Sequence, residues 1–244
     1  MKNYRPLVGI TMGDPVGIGP EIILLALCDP SIYKICKPLV IGDIRRLETA
    51  KKCIGSSLNI KAVKGPDSGM YKCGCVDILS ISELDPDKTS WGKPTVQTGK
   101  AMVNYITAAI DMANCGSIAA IVTCPINKMA MHMAGSKFKG HTELLAERTK
   151  TDDFVMMLAG DRLRVVLVTI HIPLRSVPVI LSKKQILRTI RITGRALYER
   201  FGFENPRIAV AGLNPHAGEG GMFGDEEEDI IIPAIHHARK EGFN

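Results

Sequence analysis

The feature that most constrains the fold is an alternation along the chain. Short apolar or β-branched runs recur, and each is followed by a segment of helical length with amphipathic spacing. Leu7–Thr11 reads as a strand, then a Gly/Pro loop, then a helix near 21–27. Residues 38–42 read as a second strand with a helix near 44–53 after it, and 76–81 as a third. A polar stretch over 82–98 holds Pro86, Pro94 and the single Trp91. Residues 99–113 then place Met102, Ile106, Ala109, Ile110 and Ala113 at helical spacing. Segments 118–123, 165–170 and 207–211 read as further strands. Segments 183–201 and 226–239 read as helices, with Gly242 just past the end of the last. Strands alternating with helices imply an α/β fold, a largely parallel sheet covered on both faces. Pro125 and Gly135 bracket a Met-rich helix, so the expected domains are 1–130 and 131–244.

Composition removes other classes. At 244 residues, such a chain buries roughly 70–75% of its unfolded surface and needs no disulfide or metal to fold. The longest early apolar run, 22–28, is far short of the ~20 residues of a membrane helix. The start, Met1-Lys2-Asn3-Tyr4-Arg5-Pro6, leads into only a short apolar stretch, so no secretory signal is expected. Thirty-one Lys+Arg against twenty-five Asp+Glu give a net charge of +6. The basic pairs Arg45-Arg46, Lys51-Lys52 and Lys183-Lys184 are scattered and read as solvated faces, and aromatics are only 5%. Neither pattern makes a nucleic-acid surface. Seven cysteines show no framework spacing, and Cys73-Gly74-Cys75 lacks a second pair to make a zinc knuckle. Reduced thiols and a cytoplasmic location are the expectation.

In parallel sheets ligands bind at the carboxyl ends of strands. The residues that follow each expected strand are therefore the candidate site. Thr11-Met12-Gly13-Asp14-Pro15-Val16-Gly17-Ile18-Gly19-Pro20-Glu21 meets neither the Rossmann nor the Walker spacing. It reads either as a ligand loop or as a strand-to-helix turn. Thr123-Cys124-Pro125-Ile126-Asn127-Lys128 places a lysine where it can face an anion or simply be solvated. Lys139-Gly140-His141-Thr142-Glu143 opens a helix over 143–148. A hydroxyl, an imidazole and uncapped N–H groups there suit an anion, and Thr142 also suits the N-cap. His171-Ile172-Pro173-Leu174-Arg175 and Asn214-Pro215-His216-Ala217-Gly218-Glu219 each put a histidine after a strand. Two imidazoles suit a divalent transition metal, but a catalytic ion usually has three protein ligands. Glu219 or Asp225 could be the third. The acidic run 225–229 reads as first-turn acids complementing a helix dipole, and His236-His237 as surface.

Taken together, these motifs resemble the 4-hydroxythreonine-4-phosphate dehydrogenase family. Those carrying the resemblance run from Ile10-Thr11-Met12-Gly13-Asp14-Pro15 through Gly140-His141-Thr142-Glu143 and His171-Ile172-Pro173-Leu174-Arg175 to Gly212-Leu213-Asn214-Pro215-His216-Ala217-Gly218-Glu219. Met12-Gly13-Asp14 with Gly224-Asp225-Glu226-Glu227 is closer to the branch acting on 4-phospho-D-threonate and 4-phospho-D-erythronate. The resemblance implies an isocitrate/isopropylmalate-dehydrogenase-like fold, with two α/β/α domains and a cleft at a homodimer interface. It implies NAD and a divalent metal (Zn, Mg, Co or Mn) as cofactors. The reaction would oxidise the 3-hydroxyl of a 4-phosphorylated acid, with loss of CO2 to follow, as in pyridoxine biosynthesis. His171 and His216 would be metal ligands, and His141 and Thr142 would contact the phosphorylated end of the substrate.

Family chains continue with a third metal histidine in a Tyr-His-Asp-Gln-like motif, then Lys, Asn and Arg substrate contacts, then a His-Gly-Thr-Ala-like segment near the dinucleotide. None of these motifs occurs in this sequence. The expectation is a C-terminally truncated member with an incomplete site and weak metal and NAD binding. A metal-dependent phosphatase would use the same histidine pair and anion seat. A dihydrodiol dehydrogenase would not need the seat, and a non-catalytic product would only dimerise or bind phosphate.

Overall fold

The structure, a computed structural model, describes residues 4–138 and 140–244. The chain forms two compact units, Met1–Thr151 and Asp152–Asn244. No helix among the described residues is long and apolar enough to cross a membrane.

Unit 1 is built on a five-stranded sheet in the order β3-β4-β2-β1-β5. Its strands are β1 (Leu7–Thr11), β2 (Lys37–Gly42), β3 (Asn59–Ala62), β4 (Cys75–Ser80) and β5 (Ala120–Thr123). Every pairing is parallel, as the alternation implied. In β2 the five residues from Pro38 to Gly42 are all buried, which requires cover on both faces. That cover comes from α1 (Gly19–Ala26), α2 (Pro30–Ile35), α3 (Ile44–Ile54) and α4 (Val96–Asn114). Ile23 and Leu24 of α1, Leu47 and Ala50 of α3, and Ala101, Tyr105 and Ala109 of α4 pack with Val40, Ile41, Val76 and Ile78. Three of these four helices, α2, α3 and α4, start at side-chain caps. Asp43 accepts from the Arg46 N–H at 3.0 Å, and Thr95 and Thr98 form a reciprocal capping box.

Two short helices, α5 (Lys128–Met133) and α6 (His141–Arg148), complete unit 1. The expected boundary at 130 fell within α5 and placed α6 beyond it. Met102, Ile106 and Ile110 of α4 bury against Ala130, Met131 and Leu144, and this contact holds α5 and α6 in the first unit.

Unit 2 departs further from expectation. The strand expected over 165–170 is β7 (Arg164–Leu167), and it pairs antiparallel with β6 (Met156–Ala159). The expected strand 207–211 is not in a sheet. Its residues alternate between half-buried and exposed, as a strand's do. Among the described residues, however, its one backbone hydrogen bond runs from the Ile208 N–H to the Asn244 carbonyl at 2.8 Å. Without a neighbouring ladder the segment is only extended chain. After a short α7 (Val177–Ile180), α8 (Lys183–Glu199) buries Ile186, Leu187 and Ile190 against Ile231, Ala234 and Ala238. The last helix opens as a wide π turn, Glu227–Ile231, before α9 (Ile232–Lys240). Pro233 has no N–H for the carbonyl four residues back, so the turn widens there.

Candidate active-site elements

The glycine-rich loop after β1 is shaped by its own backbone. Gly13 has φ +70°, and a Cβ on it would stand 2.3 Å from the Pro125 carbonyl oxygen. A Cβ on Gly19 would stand 2.0 Å from the Met12 carbonyl oxygen. These glycines let the loop fold against the 124–125 loop and α1 start beneath it. Of the two readings of this motif, the strand-to-helix turn is the one the structure supports.

Beneath the loop lies a buried guanidinium. Arg46 is 1% exposed. Its Nε donates to the Pro15 carbonyl at 2.9 Å, and its Nη1 donates to the Thr89 carbonyl and hydroxyl, each at 3.1 Å. The Trp91 ring stacks 3.9 Å from its Cζ. Burial pushes the Asp14 carboxyl up; its bond from the Val16 N–H and the Arg46 charge oppose this. The sequence expectation read Arg45-Arg46 as a solvated pair. Arg46 is instead a structural cation, and only its tertiary partners show it.

His141 and Thr142 come together at the first turn of α6. Thr142 is not the N-cap; Gly140 is, in extended conformation and with no side-chain cap. The helix begins two residues earlier than a Thr142 cap would give, and its first N–H groups have no side-chain acceptor. Lys128 reaches the same place from α5: its Cε lies 3.9 Å from where a Cβ on Gly140 would stand. The Glu143 carboxylate flanks that position at 3.6 Å. The His141 Nε2 is buried with no hydrogen-bond partner among the described residues. Burial also holds this imidazole below its usual pKa, so it is neutral at pH 7. Lys139, part of the same motif, lies outside the described residues.

His171 and His216 lie in unit 2. His171 is exposed and holds a left-handed backbone conformation, φ +57°, a strain of the kind found at functional sites. His216 sits in a loop of turns that places Ala217 at φ +51°, Gly218 at φ +75° and Glu219 at φ +44°. Its N–H donates to Asn214 Oδ1 at 2.8 Å, and its Nδ1 meets Glu219 Oε1 at 2.6 Å. A carboxylate on one ring nitrogen fixes the ring and leaves the other for a ligand. Glu219 is thus placed to orient the histidine, rather than to be the third ligand the sequence left open. Two imidazoles have the right donor chemistry, yet no three His, Cys, Asp or Glu side chains cluster to hold a metal among the described residues.

Glu227 was missed from the sequence, where it read as a dipole-complementing acid. Its buried carboxylate accepts from the Leu213 N–H at 2.8 Å and the Asn214 N–H at 2.9 Å. These bonds, that from Asn214 first, hold its carboxyl below the usual range. Glu227 therefore pins the loop that carries His216. No local sequence signal separates it from Glu226 and Glu228.

Comparison with known proteins gives these elements a context. The model of the family described as pyridoxal phosphate biosynthetic protein PdxA matches residues 34–244. A 4-hydroxythreonine-4-phosphate dehydrogenase of Desulforapulum autotrophicum is 54% identical over 99% of this chain and 71% of its own length. A D-threonate 4-phosphate dehydrogenase of Cupriavidus necator is 43% identical over 99% of this chain and 72% of its own length. The crystal structure of 4-hydroxythreonine-4-phosphate dehydrogenase from Klebsiella pneumoniae matches with a TM-score of 0.91 at 36% identity, over all of this chain and 73% of that one. The chain belongs to the PdxA family and is an oxidoreductase of the dehydrogenase kind that these relatives share.

Proposed function

We propose that the chain acts on a 4-phosphorylated hydroxy or amino acid, of the 4-hydroxythreonine 4-phosphate type, by oxidation of its 3-hydroxyl with NAD as the acceptor. Decarboxylation of the resulting β-keto acid would follow. The observation that carries this reading is the buried, unpartnered His141 Nε2 beside the uncapped start of α6. A polar atom left unpaired in this way is costly, and a ligand oxygen would satisfy it. The helix N-terminus and Lys128 favour an anion at that place. Held by a remote phosphate, a substrate loses translational and rotational freedom before its reacting carbon is engaged. The higher identity to the relative named for 4-hydroxythreonine 4-phosphate favours that substrate over 4-phospho-D-threonate.

The cofactors belong to the same proposal. A divalent metal (Zn, Mg, Co or Mn) would use His171 and His216, whose imidazoles suit it. Among the described residues no third His, Cys, Asp or Glu clusters with them. The wider architecture of the proposal is that of the isocitrate/isopropylmalate dehydrogenases, two α/β/α domains and a cleft in a cytoplasmic homodimer.

The test is NADH formation by this chain with the phosphorylated acid and with its dephosphorylated counterpart. Only the first is expected to turn over. His141→Ala is expected to raise KM roughly 10–100-fold with kcat within a few-fold, the size of one hydrogen bond to a charged group. Equal turnover of both acids, or phosphate release without NADH, would overturn the reading.

A further inference from the structure

A cavity of about 370 Å³ lies in unit 1, between one face of α4 and the segment that joins α5 to α6. Two clamps hold these elements together. At one end α5 presses on the start of α4. A Cβ on Gly99 would stand 2.2 Å from the Ala130 carbonyl oxygen and 3.2 Å from the Ala134 Cβ. At the other end Arg148 Nη2 donates to both Asp111 carboxylate oxygens, at 2.6 and 2.8 Å, and Asn114 Nδ2 donates to the Arg148 carbonyl at 3.2 Å. Between the clamps, Val103 and Thr107 of α4 border the gap together with Phe138 and Leu144.

The polar groups around this gap are unbalanced. Lys100, Asn104 and Thr107 stand four and three residues apart along α4, so their side chains share one face. The nearby acceptors are already engaged. Asp111 is taken by Arg148, and Glu147 Oε1 accepts from Lys137 Nζ at 2.6 Å. Ser136 Oγ accepts from the Phe138 N–H at 3.2 Å. Among the described residues no carboxylate pairs with Lys100. What is left is an ammonium with an amide one turn away and no negative charge to match it. A ligand that completes this wall supplies acceptor oxygens and an anionic charge. The rest of the cavity is apolar: Leu144 is 3% exposed, and Val103 and Phe138 are half-buried. Concave, mostly apolar sites with a few convergent polar groups are the usual form of a small-molecule site.

We propose that this cavity is a second ligand site, for a small organic anion. A carboxylate would be held by Lys100 Nζ and Asn104 Nδ2, with an apolar body against Val103, Phe138 and Leu144. Leu144 and Arg148 belong to α6, whose first turn carries His141 and Thr142, so the occupant bears on the helix that forms the seat. The inference rests on the geometry of unit 1 and is independent of the substrate.

The probe is benzoate, with benzamide as its uncharged counterpart, titrated into the 244-residue chain and followed by amide NMR shifts. Benzoate is expected to saturate with a Kd of roughly 1 mM, the scale set by the ligand efficiency of so small a molecule. The shifts are expected over 100–107 and 134–138. Lys100→Gln keeps most of the stem and removes the charge, and is expected to weaken benzoate roughly tenfold, as loss of a charged hydrogen bond does. Asn104→Ala, at an exposed position, is expected to weaken it a few-fold. His141→Ala is expected to leave benzoate binding unchanged. Shifts confined to 140–143 and lost in His141→Ala would place the anion at the seat instead and overturn the proposal. Equal binding of benzamide, or of benzoate by Lys100→Gln, would overturn the anion recognition. Shifts that grow linearly without saturating would leave no site at all.

Discussion

Arg46→Met is expected to destabilise unit 1 by about 3–5 kcal/mol, the scale for removing one member of a buried charged network. The guanidinium is almost wholly out of water and ties three segments distant in sequence. It donates to Pro15 in the glycine-rich loop, to Thr89 in the polar stretch, and stacks on Trp91. Methionine fills much of the volume but leaves the Pro15 and Thr89 carbonyls buried without a donor, each an added penalty. It also removes the cation that offsets the buried Asp14 carboxyl. Lysine keeps the charge but is not equivalent, because it cannot donate as a planar fork or stack on the indole. Urea unfolding followed by Trp91 fluorescence measures the loss. Arg46→Lys is expected to fall between the wild type and Arg46→Met. Wild-type stability in Arg46→Met would contradict the buried network.

The second large effect is Gly19→Ala. The added Cβ would stand 2.0 Å from the Met12 carbonyl oxygen and 3.2 Å from the Cys124 Cβ. The nearer atom is backbone, so no side-chain rotation relieves the clash, and α1 or the loop must shift. The expected loss is about 3 kcal/mol, the upper end for overpacking. A chain of this length would then melt about 6–12 °C lower. Gly55→Ala is the control. A Cβ at Gly55 would meet nothing within 4 Å, although φ +64° adds backbone strain. Its cost is expected to be about 1 kcal/mol, the scale of left-handed strain. Thermal unfolding of the two variants side by side separates steric clash from conformational strain.

What the sequence made legible tracks how locally each feature is determined. The strands Leu7–Thr11 and 38–42 are visible because parallel strands buried on both faces are continuous apolar runs. The edge strand β3, Asn-Ile-Lys-Ala, is polar, half-exposed and only four residues long, so nothing local marks it. In unit 2 the antiparallel pairing of β6 with β7 depends on a tertiary neighbour that periodicity cannot name. The segment 207–211 has the strand pattern yet no ladder, because pattern specifies which face is buried, not whether a neighbour is present. The 139–143 motif put His141 and Thr142 side by side, and both stand in the first turn of α6. The Thr142 cap was not realised, because extended Gly140 starts the helix two residues earlier. Glu227 was misread because its role is to accept from Leu213 and Asn214, fourteen and thirteen residues away.

The seat at the start of α6 is the centre of the functional reading, and the protonation of His141 tests it most directly. Burial lowers the pKa of this imidazole, so in the ligand-free chain it titrates below its ordinary value of about 6.5. The sign follows from linkage. The unfolded chain takes up the proton more readily, so this group's contribution lowers stability as the pH falls through about 6.5. A phosphate set against Nε2 reverses the bias, because a nearby anion favours the charged ring. The measurement is an NMR titration of the His141 ring, alone and saturated with 4-hydroxythreonine 4-phosphate or with unphosphorylated 4-hydroxythreonine. The phosphorylated acid is expected to raise the His141 pKa, and 4-hydroxythreonine to leave it where it was. An unmoved His141 with the phosphorylated acid bound, or an equal shift with both acids, would contradict a phosphate seat at this helix.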